Sequence, residues 1–370
     1  MKVPFLDLKS QYHILKKEVD SALKKLTERS DFILGADEKL FESEFAAYNR
    51  SHYAVGLNSG TDALFLSLLA CGVGPGDEVI VPAFTFIATA NAVSYTGAKP
   101  VFCDIDEKTY TMDPEAMLLK VTRRTKAVIP VHLFGQCCDM LPIMRSAKQH
   151  GLKVIEDACQ AHGAEYHPLK RKAGTMGDTG TFSFYPTKNL GGWGDGGMAT
   201  TESAKLDARL RLLRDCGRKT RYQHSIVGYN SRLDTIQAAV LRPKLVKLDS
   251  WNAERARKAC LYEHLLKGVD GITLPWKAGY SSHVFHIFAV RAVKRARLLE
   301  RLKERGIGFM VNYPLPLHLQ PAYRNLGHTK GDFPNSEKVC REIVSLPMHP
   351  FITGAELRFV ADTIKEFYAR

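Results

Sequence analysis

The feature that most constrains this chain is an alternation. From residue 53 onward, short β-branched runs are separated by stretches with helical spacing. The runs are EVIVP (78–82), PVFCDI (100–105), KAVIPV (126–131), LKVIED (152–157) and TGTFSFY (179–185). Between them lie TDALFLSLLACG, FIATANAVSYTG and DMLPIMRSAKQHG, with glycine at the expected helix stop. Strands that alternate with helices give a mostly parallel sheet covered on both faces. The expected fold class is therefore α/β, a large domain of this kind followed by something smaller.

The smaller part is read from a change of pattern. Near the start, Leu15, Val19, Ala22, Leu23 and Leu26 recur at three and four, which makes an amphipathic helix over residues 10–29. After about residue 230 comes a long helical tract, 232–267, which Pro243 is expected to break or kink. FHIFAVRA (285–292), a basic helix around 298–305, FMVNYP (309–314) and a terminal helix from about Ala355 then suggest an α+β appendage. A chain of 370 residues exceeds what one core usually supports, so we expect a large domain over 1–245 and a smaller one over 246–370.

Composition removes several classes. With 45% hydrophobic and 25% charged residues the chain is an ordinary globular one. No apolar run approaches the roughly 18 residues of a membrane span, and MKVPFLDLKSQ lacks a signal-peptide core, so a cytoplasmic protein is expected. The eight cysteines are scattered without C-x-x-C, which predicts reduced, mostly buried thiols, and neither a disulfide framework nor a metal site. The net charge of +13 favours anionic partners. Its basic clusters at 167–172, 211–221 and 295–305 belong to no recognisable nucleic-acid-binding module, so solvated faces or contacts with anionic metabolites are expected there.

Open parallel sheets bind ligands beyond the carboxyl ends of their strands. Four places there carry chemistry. Asn58-Ser59-Gly60-Thr61-Asp62 is a small-residue turn into a helix, which is either a phosphate cradle or a simple N-cap by Ser59 or Thr61. Asp157 ends a buried run, where a carboxylate needs a cation or a shared proton unless it is simply at the surface. Lys188 follows an apolar strand and precedes a loop with five glycines in 191–197, a setting that keeps an amine neutral, although most lysines are merely solvated. Phe84-Thr85-Phe86 is either core or an aromatic platform. The letters Gly192-x-Gly194-x-x-Gly197 are discounted as a dinucleotide fingerprint, because no helix opens directly after them.

Taken in order, NSGTDAL (58–64), VPAFTF (81–86), EDACQAHGA (156–164), FSFYPTKNL (182–190) and GYNSRLDTIQAA (228–239) resemble the pyridoxal-phosphate-dependent nucleotide-sugar aminotransferases of the DegT/StrS group, which have fold type I. The resemblance runs from PFLDLKSQY (4–12) to SLPMHP (345–350). It implies that Lys188 is joined covalently to pyridoxal 5'-phosphate and moves the proton, and that Asp157 keeps the pyridine nitrogen protonated. It implies phosphate contacts at Gly60, Thr61 and Ser183, a stacking ring at Phe86, and a contact on the ring-hydroxyl side at Gln160. Asn230 would reach the phosphate of a neighbouring subunit, which requires a homodimer with shared sites. His162 lies in a matching block without an assigned role.

The substrates so implied are a keto-sugar nucleotide, with a preference for the 3-keto position, and an amino acid donor, L-glutamate. Arg232, Tyr313 and His318 are the candidates for contacting the sugar nucleotide. Competing readings within the family are a transaminase for a keto-cyclitol or aminobenzoate precursor, a sugar dehydratase and a regulator without catalysis. Lys188 argues against the dehydratase, in which histidine replaces the lysine.

Overall fold

The sheet that the alternation predicts is present in the computed structural model, which describes residues 1–369. Its strands are β1 (Tyr53–Leu57), β2 (Glu78–Pro82), β3 (Lys99–Cys103), β4 (Thr125–Val128), β5 (Lys153–Asp157), β6 (Thr179–Ser183) and β7 (Gly197–Thr201). They lie in the order β1-β7-β6-β5-β4-β2-β3. Neighbours from β6 across to β3 pair in parallel, whereas β7 runs antiparallel to both β6 and β1. KAVIPV keeps regular strand geometry only to Val128, because Pro130 has no N–H for the ladder. The Pro130 carbonyl still accepts from the Asp157 N–H at 2.9 Å, which fixes the exit of β5.

Side-chain alternation along the strands builds a core on each face. Val79 and Val81 join Leu64, Leu68, Ala90 and Val93 on one side. Ile80 joins Phe41, Phe45, Ile143 and Ala147 on the other. Helices Gly60–Ala70 and Ala88–Tyr95 thus cover one face, and Ala36–Asn49 and Met140–His150 the other. Helix Ala36–Asn49 has no clear sequence signal because it buries Asp37, Glu38, Glu42 and Asn49 along with its phenylalanines. Arg214 supplies the compensating charge, donating to Glu38, Glu42 and the Gly56 carbonyl. β7 was equally silent in the sequence, since Gly-Met-Ala-Thr-Thr is buried throughout without an apolar period.

The tract beyond residue 230 corrects two expectations. A single helix, Thr235–Leu266, runs through Pro243 without ending there. Burial of Val240, Leu241, Leu245 and Leu248 and the pairing of Arg242 with Asp37 and Glu44 outweigh the roughly 3 kcal/mol that an interior proline costs. FMVNYP is not a strand, and only Met310 touches a ladder, bridging Ser345. The smaller sheet is instead Ile272–Thr273, Phe288–Ala292 and Ile343–Leu346, all antiparallel and covered by helices Arg295–Glu304 and Gly354–Tyr368.

The long helix serves both units. Leu241 and Leu248 lie in a core of the large sheet, while Ala259, Tyr262 and Leu266 lie with Phe288, Leu298 and Val360 in the core of the small one. Position 245 falls inside that helix, and Val3 joins the small core from the other end of the chain. Among the described residues no helix is long and apolar enough to cross a membrane.

Ile80 is fully buried at the centre of the sheet. Ile80→Ala is expected to cost about 2 to 5 kcal/mol in urea unfolding, and a loss below about 1 kcal/mol would contradict this account of the core.

Candidate active site

The carboxyl ends of β5 and β6 and the start of helix Gly60–Ala70 converge on one spot. The helix is capped by Ser59, whose hydroxyl accepts from the Asp62 N–H at 3.1 Å. This settles which residue caps, and leaves Thr61 partly exposed in the first turn. Glycine is needed at position 60 because a Cβ there would meet Ser183 Cβ at 2.7 Å and Cys159 Sγ at 2.9 Å. Position 197 is equally tight, since a Cβ would meet the Ser59 carbonyl oxygen at 2.2 Å. The helix terminus is thereby pressed against the two strand ends, with its free N–H groups and positive dipole end beside Ser183.

Asp157 is buried where β5 ends. Thr89 Oγ1 donates to its Oδ2 at 2.9 Å and the Cys159 N–H to its Oδ1 at 3.2 Å. Thr85 extends the chain, 3.2 Å from Thr89 Oγ1. Gln160 is held at both ends of its amide. Its Oε1 accepts from the Phe134 N–H at 2.9 Å and its Nε2 donates to the Tyr313 hydroxyl at 3.1 Å. Burial pushes the Tyr313 phenol up, so it stays protonated at neutral pH. Tyr313 also lies 5.9 Å from the exposed ring of Phe86 and 6.1 Å from buried Phe84. The aromatic segment therefore divides its labour, with Phe84 in the core and Phe86 facing outward.

Lys188 sits on the turn that follows β6, its N–H donating to the Tyr185 carbonyl at 2.9 Å. Burial lowers its pKa below that of an ordinary lysine, and the nearby Cys159 and Asp157 offset only part of this. These groups act on it through charge rather than through a hydrogen bond. The amine is thus shifted toward the neutral, nucleophilic form. Buried His162 packs 5.4 Å from Phe182 and 6.0 Å from Phe184. Desolvation, reinforced by Lys188, pushes its pKa down to about 3, so it is uncharged at neutral pH.

The long helix anchors the glycine loop beyond Lys188, a role no local pattern announced. Gln237 Oε1 accepts from the Trp193 N–H at 2.7 Å, and Lys244 Nζ donates to the Gly191 carbonyl at 2.6 Å. Burial lowers the Lys244 pKa to about 8.

Two of the sequence candidates have partners elsewhere, and a third is exposed beside this cluster. His318 is buried, 3.2 Å from Glu337 and packed 4.7 Å from Phe333, so it offers no surface to a substrate. Arg232 Nη1 is bound to Asp215 at 2.7 Å, an internal ion pair. Asn230 is exposed. Its neighbour Ser231 donates to Asp62 at 2.7 Å and accepts from the Asn58 N–H at 3.3 Å, at the same helix terminus.

A lysine whose pKa burial lowers, a buried acid and a helix terminus beside a hydroxyl meet at one edge of this fold, the arrangement expected of a fold type I transaminase that uses pyridoxal phosphate. Residues 13–365 match the DegT/DnrJ/EryC1/StrS aminotransferase family, and the chain belongs to it. A protein of Geobacillus stearothermophilus named "Pleiotropic regulatory protein" is 47% identical over 370 residues, covering 100% of this chain and 99% of its own. The dTDP-3-amino-3,4,6-trideoxy-alpha-D-glucose transaminase of Streptomyces venezuelae is 45% identical over 369 residues, covering 100% of this chain and 97% of its own. The crystal structure of S. venezuelae DesV in complex with a ketimine intermediate matches at a TM-score of 0.97 and 45% identity, over 100% of this chain and 99% of that one.

The family depends on pyridoxal phosphate, and the residues here fit that group. The close approach at Gly60 sets the free N–H groups of the helix terminus beside Ser183, as a phosphate requires, and among the described residues Lys188 makes no ion pair. Gly60→Ala is expected to weaken cofactor binding by about tenfold or more, equivalent to about 1.4 kcal/mol. Gly279→Ala, where nothing lies within 4 Å, is expected to leave it unchanged. Absorbance titration of both variants checks this, and equal affinities would contradict the cradle.

Proposed function

We propose that this chain transfers an amino group from L-glutamate to carbon 3 of a nucleotide-linked keto sugar, as a cytoplasmic homodimer. The observation that carries the reading is the meeting of Lys188, Asp157 and the Gly60 helix terminus at one strand edge. The 3-keto position is supported by the name of the S. venezuelae transaminase, 45% identical along the whole chain.

On this reading the Gly60 and Thr61 N–H groups and the Ser183 hydroxyl hold the phosphate, Lys188 Nζ is the attachment point, and Phe86 covers one ring face. Gln160, braced by Tyr313, stands on the ring-hydroxyl side. Bound pyridoxal phosphate supplies an electron sink. Asp157, fixed by Thr89, holds the proton at the pyridine nitrogen. Lys188 Nζ, deprotonated more readily because of burial, takes the proton from the donor's α-carbon and later delivers one to carbon 3 of the sugar. Donor and sugar use one pocket in turn, so ping-pong kinetics follow.

The dimer is supported by the exposed apolar side chains Phe32, Ile33, Trp193, Tyr229 and Ile236 and by exposed Asn230, which in a dimer reaches the partner's phosphate. A second reading, that Asn230 serves its own chain, is favoured by the Ser231 bonds to Asn58 and Asp62. Complementation separates them. Lys188→Ala and Asn230→Ala proteins, each nearly inactive, regain part of their activity after subunit exchange if Asn230 crosses the interface, and regain none if it does not.

For the reaction itself, the protein loaded with cofactor is mixed with L-glutamate and a panel of 3-keto and 4-keto sugar nucleotides, and 2-oxoglutarate is followed. Turnover with a 3-keto sugar nucleotide is expected. Amination of only a free keto-cyclitol would overturn the sugar-nucleotide reading and leave the transaminase. Borohydride is expected to fix the cofactor on Lys188, and Asp157→Ala is expected to keep that adduct while turnover falls by about 10²-fold or more. Near-normal turnover in Asp157→Ala would remove Asp157 from the mechanism.

A further inference from the structure

The residue after Lys188 is tied into a buried network. Asn189, Asn252 and His286 are all buried. Asn189 Nδ2 donates to Asn252 Oδ1 at 2.8 Å and to the Val284 carbonyl at 3.1 Å. Asn252 Nδ2 donates to the His162 carbonyl at 2.8 Å. The remaining contact, Asn189 Oδ1 with His286 Nδ1 at 3.2 Å, joins an acceptor to a ring nitrogen that must then carry the hydrogen. No other arrangement satisfies the set, since a flipped Asn189 amide would set its oxygen against two acceptors. His286 is neutral, its pKa held far below the usual value by burial, with Lys188 and Arg255 adding to the effect.

Three parts of the molecule meet here. Asn189 belongs to the loop of Lys188, the His162 carbonyl to the loop that begins with Asp157, and Val284 and His286 to the segment entering the small sheet. Asn252 lies on the long helix in register with Gln237 and Lys244, at spacings of seven and eight residues, which place all three along one stripe. Gly163, at φ +84°, lets the His162 turn approach, and a Cβ there would come within 3.0 Å of Asn252 Nδ2.

We propose that Asn189, Asn252 and His286 are positioning residues that fix Lys188 relative to Asp157 and link its setting to the small unit. The proposal rests on the reading of Lys188 as the cofactor-bearing lysine, and borohydride mapping in the unmodified protein tests that reading separately. Loosening the network lets water reach Lys188, which favours its protonated form. Asp157 and Cys159 oppose the lowering of the lysine's pKa, whereas His162 and His286 are neutral, so the network can be altered at His286 without changing net charge.

The test compares His286→Leu with His286→Asn in the cofactor-loaded protein. Asparagine places an N–H where histidine has Nδ1, whereas leucine fills the space without a donor. The readout is the pH midpoint of the visible absorbance of the lysine-bound cofactor, with thermal melting recorded alongside. His286→Leu is expected to raise the midpoint by about one unit, and His286→Asn to keep it within about 0.3 of the unmodified protein. An unchanged midpoint in His286→Leu, or equal shifts in both variants, overturns the proposal. If His286→Leu does not fold, Asn189→Ala is read in its place, with an upward shift supporting the network and an unchanged midpoint overturning it.

Discussion

Everything at this site depends on how closely the backbone at Gly60 lies against Ser183 and Cys159. That contact holds one helix terminus over the ends of two parallel strands, and no residue with a Cβ allows it. Because β5 and β6 are adjacent and parallel, Asp157 and Ser183 emerge on the same edge, and the turn after β6 brings Lys188 to meet them. The antiparallel strand β7 closes the arrangement, its Gly197 passing as close to Ser59 as the backbone permits. The proposed phosphate cradle and the buried setting of Lys188 thus come from one packing arrangement rather than two.

The strands that build this edge were legible in the sequence because each is a buried, β-branched run ending in a residue of different character. Asp157, Lys188 and the turn at Gly60 stood out for the same reason, as polar or small residues where an apolar run stops. Helix Ala36–Asn49 and β7 were not legible. The first is held by buried acids whose partner, Arg214, is far away in sequence, and the second has no apolar period. The helix is not broken at Pro243, because local propensity is weak against packing on both sides of a long helix.

Two of the substrate candidates have internal partners that the sequence does not announce, and the reason is physical. A histidine or arginine in a loop looks the same whether it faces a ligand or an internal acid. His318 found Glu337 and Arg232 found Asp215, partners that only the fold brings near. Tyr313 is different, since its link to Gln160 sets it beside the cluster. The relatives reflect the same limit. One is named as a regulator and one as a transaminase, at nearly equal identity to this chain, so overall likeness does not choose between them. A lysine whose pKa is lowered by burial, beside a buried acid, is what favours catalysis here.

The most direct test of the central claim is the phosphorus-31 resonance of the bound cofactor as a function of pH. A phosphate seated on the Gly60 helix terminus and the Ser183 hydroxyl is stabilised as the dianion, so its chemical shift should stay constant between about pH 5 and 8. A resonance that titrates with a midpoint near 6, about the value of a free phosphate monoester, would mean that the phosphate lies in solvent and that the helix terminus does not hold it.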